Sequence, residues 1–519
     1  MDYGQFNSMQ DFGYNRFPRP HNVLGSYNAG ILYPLGCFDV PMGGTISNDL
    51  DIFARSSELG DPSFLDADVS VGHYFVSYEA MDHFFRKRTQ QFKGSLQDQP
   101  LMQLRIPKGT PYSTLATFLG PRTLGDHLGF GVEIPESLEG STTDDFTIPL
   151  GPFVAYQMIV DRFFRNSRLQ NVERTKDALW KMFTDWNTAS VDLSNPEISS
   201  SEMLMLQYMN YEPDYFTTAR TQAGGAEIRI PGFDTLDTGF VSSDTEDAVP
   251  GASDGDVTAL RQALADANIH TLLDRMLLQK VADMLERGGY SHNDFCRILY
   301  HVQANDESAE YPVFLAGSSS PLQVSTVVNQ AAIGDTPGQA LGAQAGTVSA
   351  YLRSNDGFSR RFDRAGIYIP CMWIRPSTYY RSGVSSVWLQ KTLGSKLIPQ
   401  LADMQDAPIY QIEVGADLTT VDLDLGSIQG VFGYKDRYQE YRTTPNRVVG
   451  EMRTTRTGWY MPRTNIKERQ LDEDFIKQDS LLYTPWVVTD NKVDHFFVRV
   501  HHNFKNTVPL PAVSRPYVW

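Results

Sequence analysis

Segments with the pattern of β-strands lie toward the two ends of this 519-residue chain, and its middle is helix-like and loop-like. Short runs of β-branched and aromatic residues between turn residues predict strands. They occupy 30–40, 46–54, 67–78, 365–374, 409–414, 418–425, 483–488 and 494–501. An α/β fold would alternate strand and helix along the whole chain. The order therefore favours a mainly β fold with a long insertion between two sets of strands.

The length and composition agree with this architecture. A chain of 519 residues exceeds the usual size of one hydrophobic core, so length alone suggests several domains. One enlarged β domain is the alternative. The 29 Phe, 25 Tyr and 7 Trp, with 40 Gly and 29 Pro, favour the second interpretation, because many short strands joined by turns use these residues.

Two segments of the middle region have a helical period. Tyr156, Ile159, Val160, Phe163 and Phe164 fall on one face of a helix that begins near residue 151, and we interpret this aromatic stripe as core. A second helix is predicted over 256–287, followed by the glycine pair 288–289. Two loops are also predicted: an acidic exposed loop over 222–256 and a Gly/Ala/Gln-rich loop over 334–346.

No sequence motif in the chain supports catalysis, metal binding or cofactor binding. The pentapeptide GASDG at 251–255 matches a nucleophile elbow, but the preceding residues are acidic and contain proline, so Ser253 is better explained as a helix cap. Asp417, Asp422 and Asp424 lack the calcium-loop pattern and suit the wet face of a strand. His501 and His502 are adjacent, so in a strand they point to opposite faces. We predict no enzyme, no metal site and no cofactor.

The number and spacing of the cysteines and the hydropathy of the chain bear on the cellular compartment of the protein. Cys37, Cys296 and Cys371 are an odd number at wide spacing, which predicts a reducing compartment and no disulfide framework. No stretch of about 18 apolar residues is present, so a membrane span is not expected. The N-terminal segment lacks the charged-then-apolar order of a secretory signal, and we interpret it as an arm.

Charge is unevenly distributed along the chain. The net charge of −17 argues against a free-standing nucleic-acid-binding domain. However, 358–396 contains seven Lys or Arg and one acid, 434–469 contains nine against four, and 233–258 contains seven acids and no base. This segregation suits a protein with one face toward nucleic acid and another toward solvent. Ordinary variation in solvated surface charge is the equally weighted alternative.

Five segments of the chain carry a resemblance to a known family. They are AGILYPLGCFDVPMGGTISNDLDIFAR (29–55), GPFVAYQMIVDRFFRNSRLQN (151–171), PDYFTTAR (213–220), the region 260–289 with 321–346, and YKDRYQEYRTTPNRVVGEMRTT (434–455). In this order they resemble the major capsid proteins of the microvirus family of single-stranded DNA phages, and the likeness is closest to the gokushovirus-like branch.

The resemblance implies the fold and its division. The expected fold is mainly β, a single eight-stranded viral jelly roll with long, partly helical insertions. Residues 1–28 would form an N-terminal arm and 29–519 the jelly-roll capsid domain. The helical and loop insertion would span about 151–346 and contain the acidic loop at about 222–256. The C-terminal run VPLPAVSRPYVW is expected to reach across onto neighbouring subunits.

The resemblance also implies a function. Copies of the chain would self-assemble into a T=1 icosahedral capsid around circular single-stranded DNA. The implied partners are a minor pilot protein, a scaffolding protein during assembly, a small basic DNA-associated peptide in some members, and a host surface receptor. The location would be the virion, assembled in the cytoplasm of a bacterial host. The alternative function is a secreted carbohydrate-active β-sandwich enzyme or binding module, which would use paired carboxylates and surface aromatics.

The predicted DNA contacts are arginines interleaved with aromatic residues in the two basic windows. Guanidinium groups bind phosphate, and aromatic faces stack on unpaired bases without sequence preference. The set comprises Arg360, Arg361, Arg364, Arg442, Arg447, Arg453 and Arg456. Salt bridges within or between subunits are the alternative role for each of them.

Overall fold

The computed structural model describes most of the chain outside its N-terminus and a large central region. The described residues are 14–41, 43–60, 63–81, 103–135, 138–170, 190–192, 202–221, 311–328, 344–353, 357–362, 364–381, 383–390, 396–401, 406–415, 430–463, 471–490, 492–508 and 510. The helix predicted over 256–287, the acidic loop from 222, the strand predicted over 418–425 and Cys296 lie outside these residues.

Strands are the main elements. In chain order they are β1 (Asn15–Pro18), β2 (His21–Tyr27), β3 (Leu32–Pro34), β4 (Phe38–Val40), β5 (Thr45–Asn48), β6 (Leu50–Ser56), β7 (Ala67–Ser77), β8 (Gln103–Ile106), β9 (Phe146–Pro149), β10 (Ser190–Asp192), β11 (Val313–Pro321), β12 (Gln323–Val328), β13 (Gln344–Arg353), β14 (Phe358–Arg361), β15 (Gly366–Pro376), β16 (Ala407–Tyr410), β17 (Val431–Lys435), β18 (Phe496–His502) and β19 (Lys505–Val508).

Helical elements in the described residues are short. The α-helices are Tyr78–Met81, Tyr112–Ala116, Gly151–Ile159, Ser386–Leu389, Gln411–Val414 and Glu473–Ile476. Single π-helical segments occupy Asp126–Phe130 and Val160–Phe164. Turns of 3-10 helix occupy Glu202–Leu204, Pro399–Leu401, Gln439–Tyr441, Gly450–Arg453, Thr457–Trp459 and Gln478–Ser480. None of the described helices is long and apolar enough to cross a membrane.

Two antiparallel sheets form the centre of the molecule. The first has the order β12-β13-β6-β18-β2, and the second has the order β11-β7-β15-β3, with β4 also paired to β15. The early strand β2 lies beside the late strand β18, and β3 and β4 lie beside β15. This pairing of chain beginning with chain end is the strand order of a jelly roll. The predicted mainly β, jelly-roll fold is confirmed, and short strands such as β4 and β12 extend the two sheets.

Alternating side chains from the two sheets meet to form the inner core. Strands that face a core on one side and solvent on the other bury every second residue. The first sheet contributes Leu50, Ile52, Ala54, Phe496, Val498 and Val500, and the second contributes Ala67, Val69, Val71, Met372 and Ile374. The sandwich therefore has one apolar layer between its sheets.

The second sheet is covered on its outer face as well. The helix Gly151–Ile159 packs there, and Phe153, Tyr156 and Ile159 are at most 1% exposed. The Tyr156 hydroxyl donates to the Leu32 carbonyl at 2.7 Å and accepts from the backbone N–H of Gln207 at 3.0 Å. Because β15 is buried on both faces, its sequence is almost continuously apolar, whereas the first half of β7 alternates exposed and buried residues.

A cluster of four buried polar side chains lies at one end of the inner core. The Tyr368 hydroxyl is 2.6 Å from His73 Nδ1 and 2.9 Å from Asn48 Nδ2, and Asn48 Nδ2 is 3.3 Å from His502 Nδ1. All four side chains are fully buried. Burial lowers the pKa of His73 to about 4, and burial together with neighbouring histidines lowers that of His502 to about 3.

The predicted arm is shorter than expected. Residues 15–18 pair with β19 and residues 21–27 pair with β18, so this half of the 1–28 segment belongs to the subunit's own sheets. The backbone N–H and C=O groups of an extended segment need partners, and the C-terminal strands supply them. Strand β19 pairs with both β1 and β5 and ends at Val508, the first residue of the predicted C-terminal extension, most of which lies outside the described residues.

Two strand predictions are wrong, and the aromatic stripe is partly wrong. The segment 409–414 is a strand only to Tyr410 and then turns into a helix, which Glu413 caps by accepting from the Tyr410 N–H at 3.0 Å. The segment 483–488 is irregular because Pro485 lacks an N–H for a sheet and Trp486 bonds back to Tyr483. Phe163 is 39% exposed.

Candidate nucleic-acid interface

The first basic window surrounds β14. Phe358 is buried in the core, while Arg360 and Arg361 are exposed on the same short strand. The Arg361 guanidinium carbon lies 5.7 Å from the centre of the Tyr14 ring. Arg364 is half-buried and has an interaction partner. Two guanidinium groups are therefore presented to solvent beside the edge of this sheet.

The second window is a chain of 3-10 turns after β17. Arg442, Arg447, Arg453 and Arg456 are all exposed. Arg456 Nε forms an ion pair of 3.2 Å with Glu451, and both side chains are mostly solvated. An exposed pair of this kind contributes little to stability, so the arginine is available to another anion.

No contact between described residues joins the two basic windows into one patch. The first window precedes β15 directly in the chain. The second is joined to the segment after β15, because the Tyr380 N–H donates to the Asn446 carbonyl and the Val448 N–H donates to the Tyr380 carbonyl, both at 3.0 Å. The eleven residues of β15 span about 35 Å, so the windows are anchored at opposite ends of one strand.

A buried ionic group beneath the second window was not anticipated. Lys435 Nζ lies 3.2 Å from Glu440 and 3.9 Å from Glu413, and it donates to Ser386 Oγ at 3.0 Å and to the Tyr215 hydroxyl. Burial raises the pKa of Glu413, and the Lys435 charge opposes that rise. The side chains of Lys435, Glu413 and Glu440 are buried and bonded to one another, so the group belongs to the scaffold of this region and is closed to ligands.

Two further arginines in this region are structural. Arg220 forms ion pairs with Asp406 and Asp436. The buried Arg463 lies 4.0 Å from the centre of the Tyr211 ring and donates to the Phe475 carbonyl. Arg220 ends the segment PDYFTTAR, and its acidic partners are 186 and 216 positions away, so local sequence gives no signal for them.

The described residues give no indication of metal chemistry. No group of three potential metal ligands occurs among them. His502 is buried toward the core, whereas the half-buried His501 is 2.8 Å from Asn22 on the other face of the strand, as the adjacent positions predict. Cys37 and Cys371 are not in disulfides, and burial raises the pKa of Cys37 to about 11. Ser253, Asp417, Asp422 and Asp424 lie outside the described residues.

Comparison with known proteins identifies the family. A family model described as "Capsid protein (F protein)" matches residues 234–518. The chain is similar to capsid protein VP1 of Chlamydia phage 1, at 26% identity over 313 residues, which are 59% of this chain and 48% of that protein. It is also similar to capsid protein VP1 of Bdellovibrio phage phiMH2K, at 22% identity over 52% of this chain and 51% of that protein.

A third relative aligns over most of the chain. Capsid protein VP1 of Spiroplasma virus 4 is 21% identical over 526 residues, which are 90% of this chain and 88% of that protein. By contrast, this chain spans about half the length of the first two relatives. The family model matches more than half of the chain, including the jelly-roll strands from β11 to β18. The chain belongs to the capsid protein (F protein) family.

Proposed function

We propose that this chain is a major capsid protein whose copies assemble into a T=1 icosahedral shell around circular single-stranded DNA. One observation carries the proposal: a capsid-family match falls on a chain whose principal sheets have the jelly-roll order. The fold alone would not suffice, because lectin and cupin domains share it. The family is structural, which argues for a role without catalysis and against the carbohydrate-active alternative.

We further propose that the seven arginines contribute to genome contact. Six of them, all except Arg364, are exposed and thus accessible to phosphate. A shell must accept the whole genome, so the contacts would be to phosphates and base faces, which carry little sequence information. The acidic loop predicted over 222–256 would face outward, because its charges would repel packaged phosphate over a Debye length of roughly 8 Å.

The proposed partners follow the family resemblance. They are further copies of the chain, packaged single-stranded DNA, a minor pilot protein, a scaffolding protein during assembly, a small basic peptide in some members and a host receptor. The proposed location is the virion, with assembly in the bacterial cytoplasm. These roles agree with the net charge of −17, because an acidic subunit needs local basic surfaces or a basic peptide to approach DNA.

The experiment is to express the full chain in bacteria together with the scaffolding protein of the same virus. Sedimentation and negative-stain microscopy measure closed shells, and nuclease-protected DNA per shell measures packaging. We expect shells of uniform size, and less protected DNA in the triple variant Arg442→Gln, Arg447→Gln, Arg453→Gln.

The matched control is Arg105→Gln, because Arg105 is exposed and paired with Asp145 at 2.7 Å, outside both windows. It should package like the unchanged chain. Material that stays monomeric under all assembly conditions would contradict the capsid function. Normal DNA content in the triple variant would contradict only the role of these arginines.

A further inference from the structure

The outer face of the first sheet is unusually apolar for a face that no described element covers. An antiparallel sheet that packs on one side normally presents polar residues on the other. Here Leu24 of β2 is 78% exposed, Phe497 of β18 is 52% exposed and Phe53 of β6 is 37% exposed. Three large apolar side chains on adjacent strands indicate a binding surface.

Arginines alternate with these side chains in register. Across the three strands, Arg499 is paired with Leu24 on one side and with Phe53 on the other. One row further, Phe497 is paired with Arg55. The Arg55 guanidinium carbon is 5.1 Å from the centre of the Phe53 ring. Rings and guanidinium groups therefore form a checkerboard with a spacing of about 5 Å between strands.

Both arginines are free to bind an anion. Within the described part of the chain, neither Arg55 nor Arg499 forms an ion pair, and both are exposed. Two acids, Asp494 and Asp126, interact with Arg122, which borders β2. Asp494 pairs with Arg122 at 2.7 Å, and Asp126 accepts the Arg122 backbone N–H at 3.1 Å.

One acid lies on the face itself. Asp51 is in the next row, where it is paired with His501, and it has an interaction partner of its own. It is half-buried and sits beyond the aromatic rows. The two rows that contain the rings therefore carry positive charge only.

The outer face of the first sheet also borders a cavity. A cavity of about 660 Å³ is lined by Phe53, Arg55, Phe497 and Arg499 together with Arg122 and the exposed Asp126 from the segment that borders β2. Its volume lies within the range of about 300–1,000 Å³ that is usual for ligand sites. The volume is therefore sufficient for a planar group beside the rings.

We propose that this face, defined by Leu24, Phe53, Arg55, Phe497 and Arg499, is a stacking platform for single-stranded DNA. Bases would stack on Phe53 and Phe497, and phosphates would bind Arg55 and Arg499. Sheets that present aromatic rings on neighbouring strands hold unpaired bases in this way. The proposal rests on the proposed function and places genome contact on residues outside the two basic windows.

Nucleic acid fits the face better than another protein subunit. A protein partner would bury two unpaired guanidinium groups unless it supplied two carboxylates at matching positions, and an uncompensated buried charge is strongly destabilising. A DNA strand supplies a phosphate at every nucleotide and an aromatic base beside it. The alternating rings and guanidinium groups can bind bases and phosphates at the same time, whatever the base sequence of the DNA.

The test uses the unassembled full chain and a fluorescein-labelled 20-nucleotide oligothymidylate. Binding is measured by fluorescence anisotropy from 50 to 200 mM NaCl, conditions that we choose to expose the salt dependence. Phe53→Leu with Phe497→Leu keeps apolar surface and removes both rings, and we expect Kd to rise roughly tenfold or more. Phe314→Leu is the matched control, because Phe314 is 49% exposed on β11 of the second sheet, outside both basic windows, and should leave Kd unchanged.

The arginines are tested by the salt slope. Each phosphate contact with a single strand contributes about 0.7 to the slope of log Kobs against log salt. Arg55→Gln with Arg499→Gln should therefore reduce the slope by about 1.4, while Arg105→Gln leaves it unchanged. Ultraviolet cross-links to the oligonucleotide should map to 50–56 and 496–502.

The outcomes separate this proposal from the capsid function. Unchanged Kd in the leucine variant, or cross-links only in the arginine windows, would overturn the platform while shells still form. A leucine variant that binds DNA normally but forms few shells would show that the face is a subunit interface, which also overturns the platform. A chain that binds DNA through these rings but never forms shells would overturn the capsid function alone.

Discussion

At the scale of single residues, burial decides what each charged or titratable group does. Lys435 and Arg456 both pair with glutamate at 3.2 Å, yet the first pair is buried and the second is solvated. The buried pair belongs to the scaffold, whereas the solvated one can exchange its partner for phosphate. The same distinction separates His502 from its neighbour His501 on the other face of β18.

The buried histidines should make the subunit sensitive to acid. The pKa of His73 is about 4 and that of His502 about 3 in the fold, against about 6.5 in an unfolded chain. Below pH 6.5 the unfolded chain binds protons that the folded chain excludes, so stability falls as the pH drops from 6.5 toward 4. Urea midpoints measured between pH 8 and pH 4 should show this decline.

Two variants check the cause of that decline. His73→Gln should flatten the dependence on pH, because one titrating group is removed. Tyr368→Phe removes the hydroxyl that His73 contacts, but it removes no group that titrates in this range, so it should lower stability and keep the slope. An unchanged slope in His73→Gln would contradict the assignment.

At the scale of elements, the helix Gly151–Ile159 converts one sheet of the sandwich into a layer buried on both sides. Its aromatic stripe begins as the sequence predicts, with Tyr156 and Ile159 fully buried. The π-helical segment Val160–Phe164 then follows. A π-helix has a wider turn than an α-helix, so later residues rotate away from the stripe, and Phe163 emerges toward solvent.

This rotation predicts unequal effects of two similar substitutions. Phe153→Ala empties a site that is 1% exposed and should cost about 3–5 kcal/mol of unfolding free energy. Phe163→Ala, at a site 39% exposed, should cost about 1 kcal/mol. Urea denaturation of the unassembled subunit measures both, and equal costs would mean that Phe163 belongs to the core.

Elements with local signals were predictable and elements with distant partners were not. Strand β15 is a nearly continuous apolar run and the first half of β7 alternates apolar with polar residues, so the existence of both strands follows from sequence. The turn after Tyr410 depends on a cap from Glu413, and the buried position of Lys435 depends on Tyr215, which lies 220 positions away. The clusters of arginine were likewise visible in the sequence. The alternating rings and arginines of the first sheet were not, because these residues come from three strands that are far apart in the chain.

At the scale of the whole molecule, the first and last strands of the described residues belong to the same sheet. Strand β19 lies between β1 and β5, and the Leu510 carbonyl accepts from Asn15 at 2.6 Å. The segment that we propose reaches a neighbouring subunit is therefore 511–519, which lies outside the described residues. In closed lattices such terminal segments bind adjacent copies.

Removal of 511–519 should leave a folded subunit that forms few shells, because the β19 pairing remains and only the proposed intersubunit segment is lost. Removal of 505–519 is the control: it deletes β19 from the middle of its sheet and should prevent folding. Circular dichroism measures folding, and sedimentation measures shells. A normal shell yield without 511–519 would refute the role of this segment.

The pairing of β2 with β18 also limits how early the subunit can fold during its synthesis. The backbone N–H of His495 bonds to Asn28, 467 positions earlier in the chain. At about 5–20 residues per second, a ribosome needs roughly 25–90 s to make the intervening residues. Among the described strands β2 pairs with β18 alone, so it waits unpaired until β18 has been made. The sandwich can close only after β18 has left the ribosome, and no subunit can enter a lattice before then.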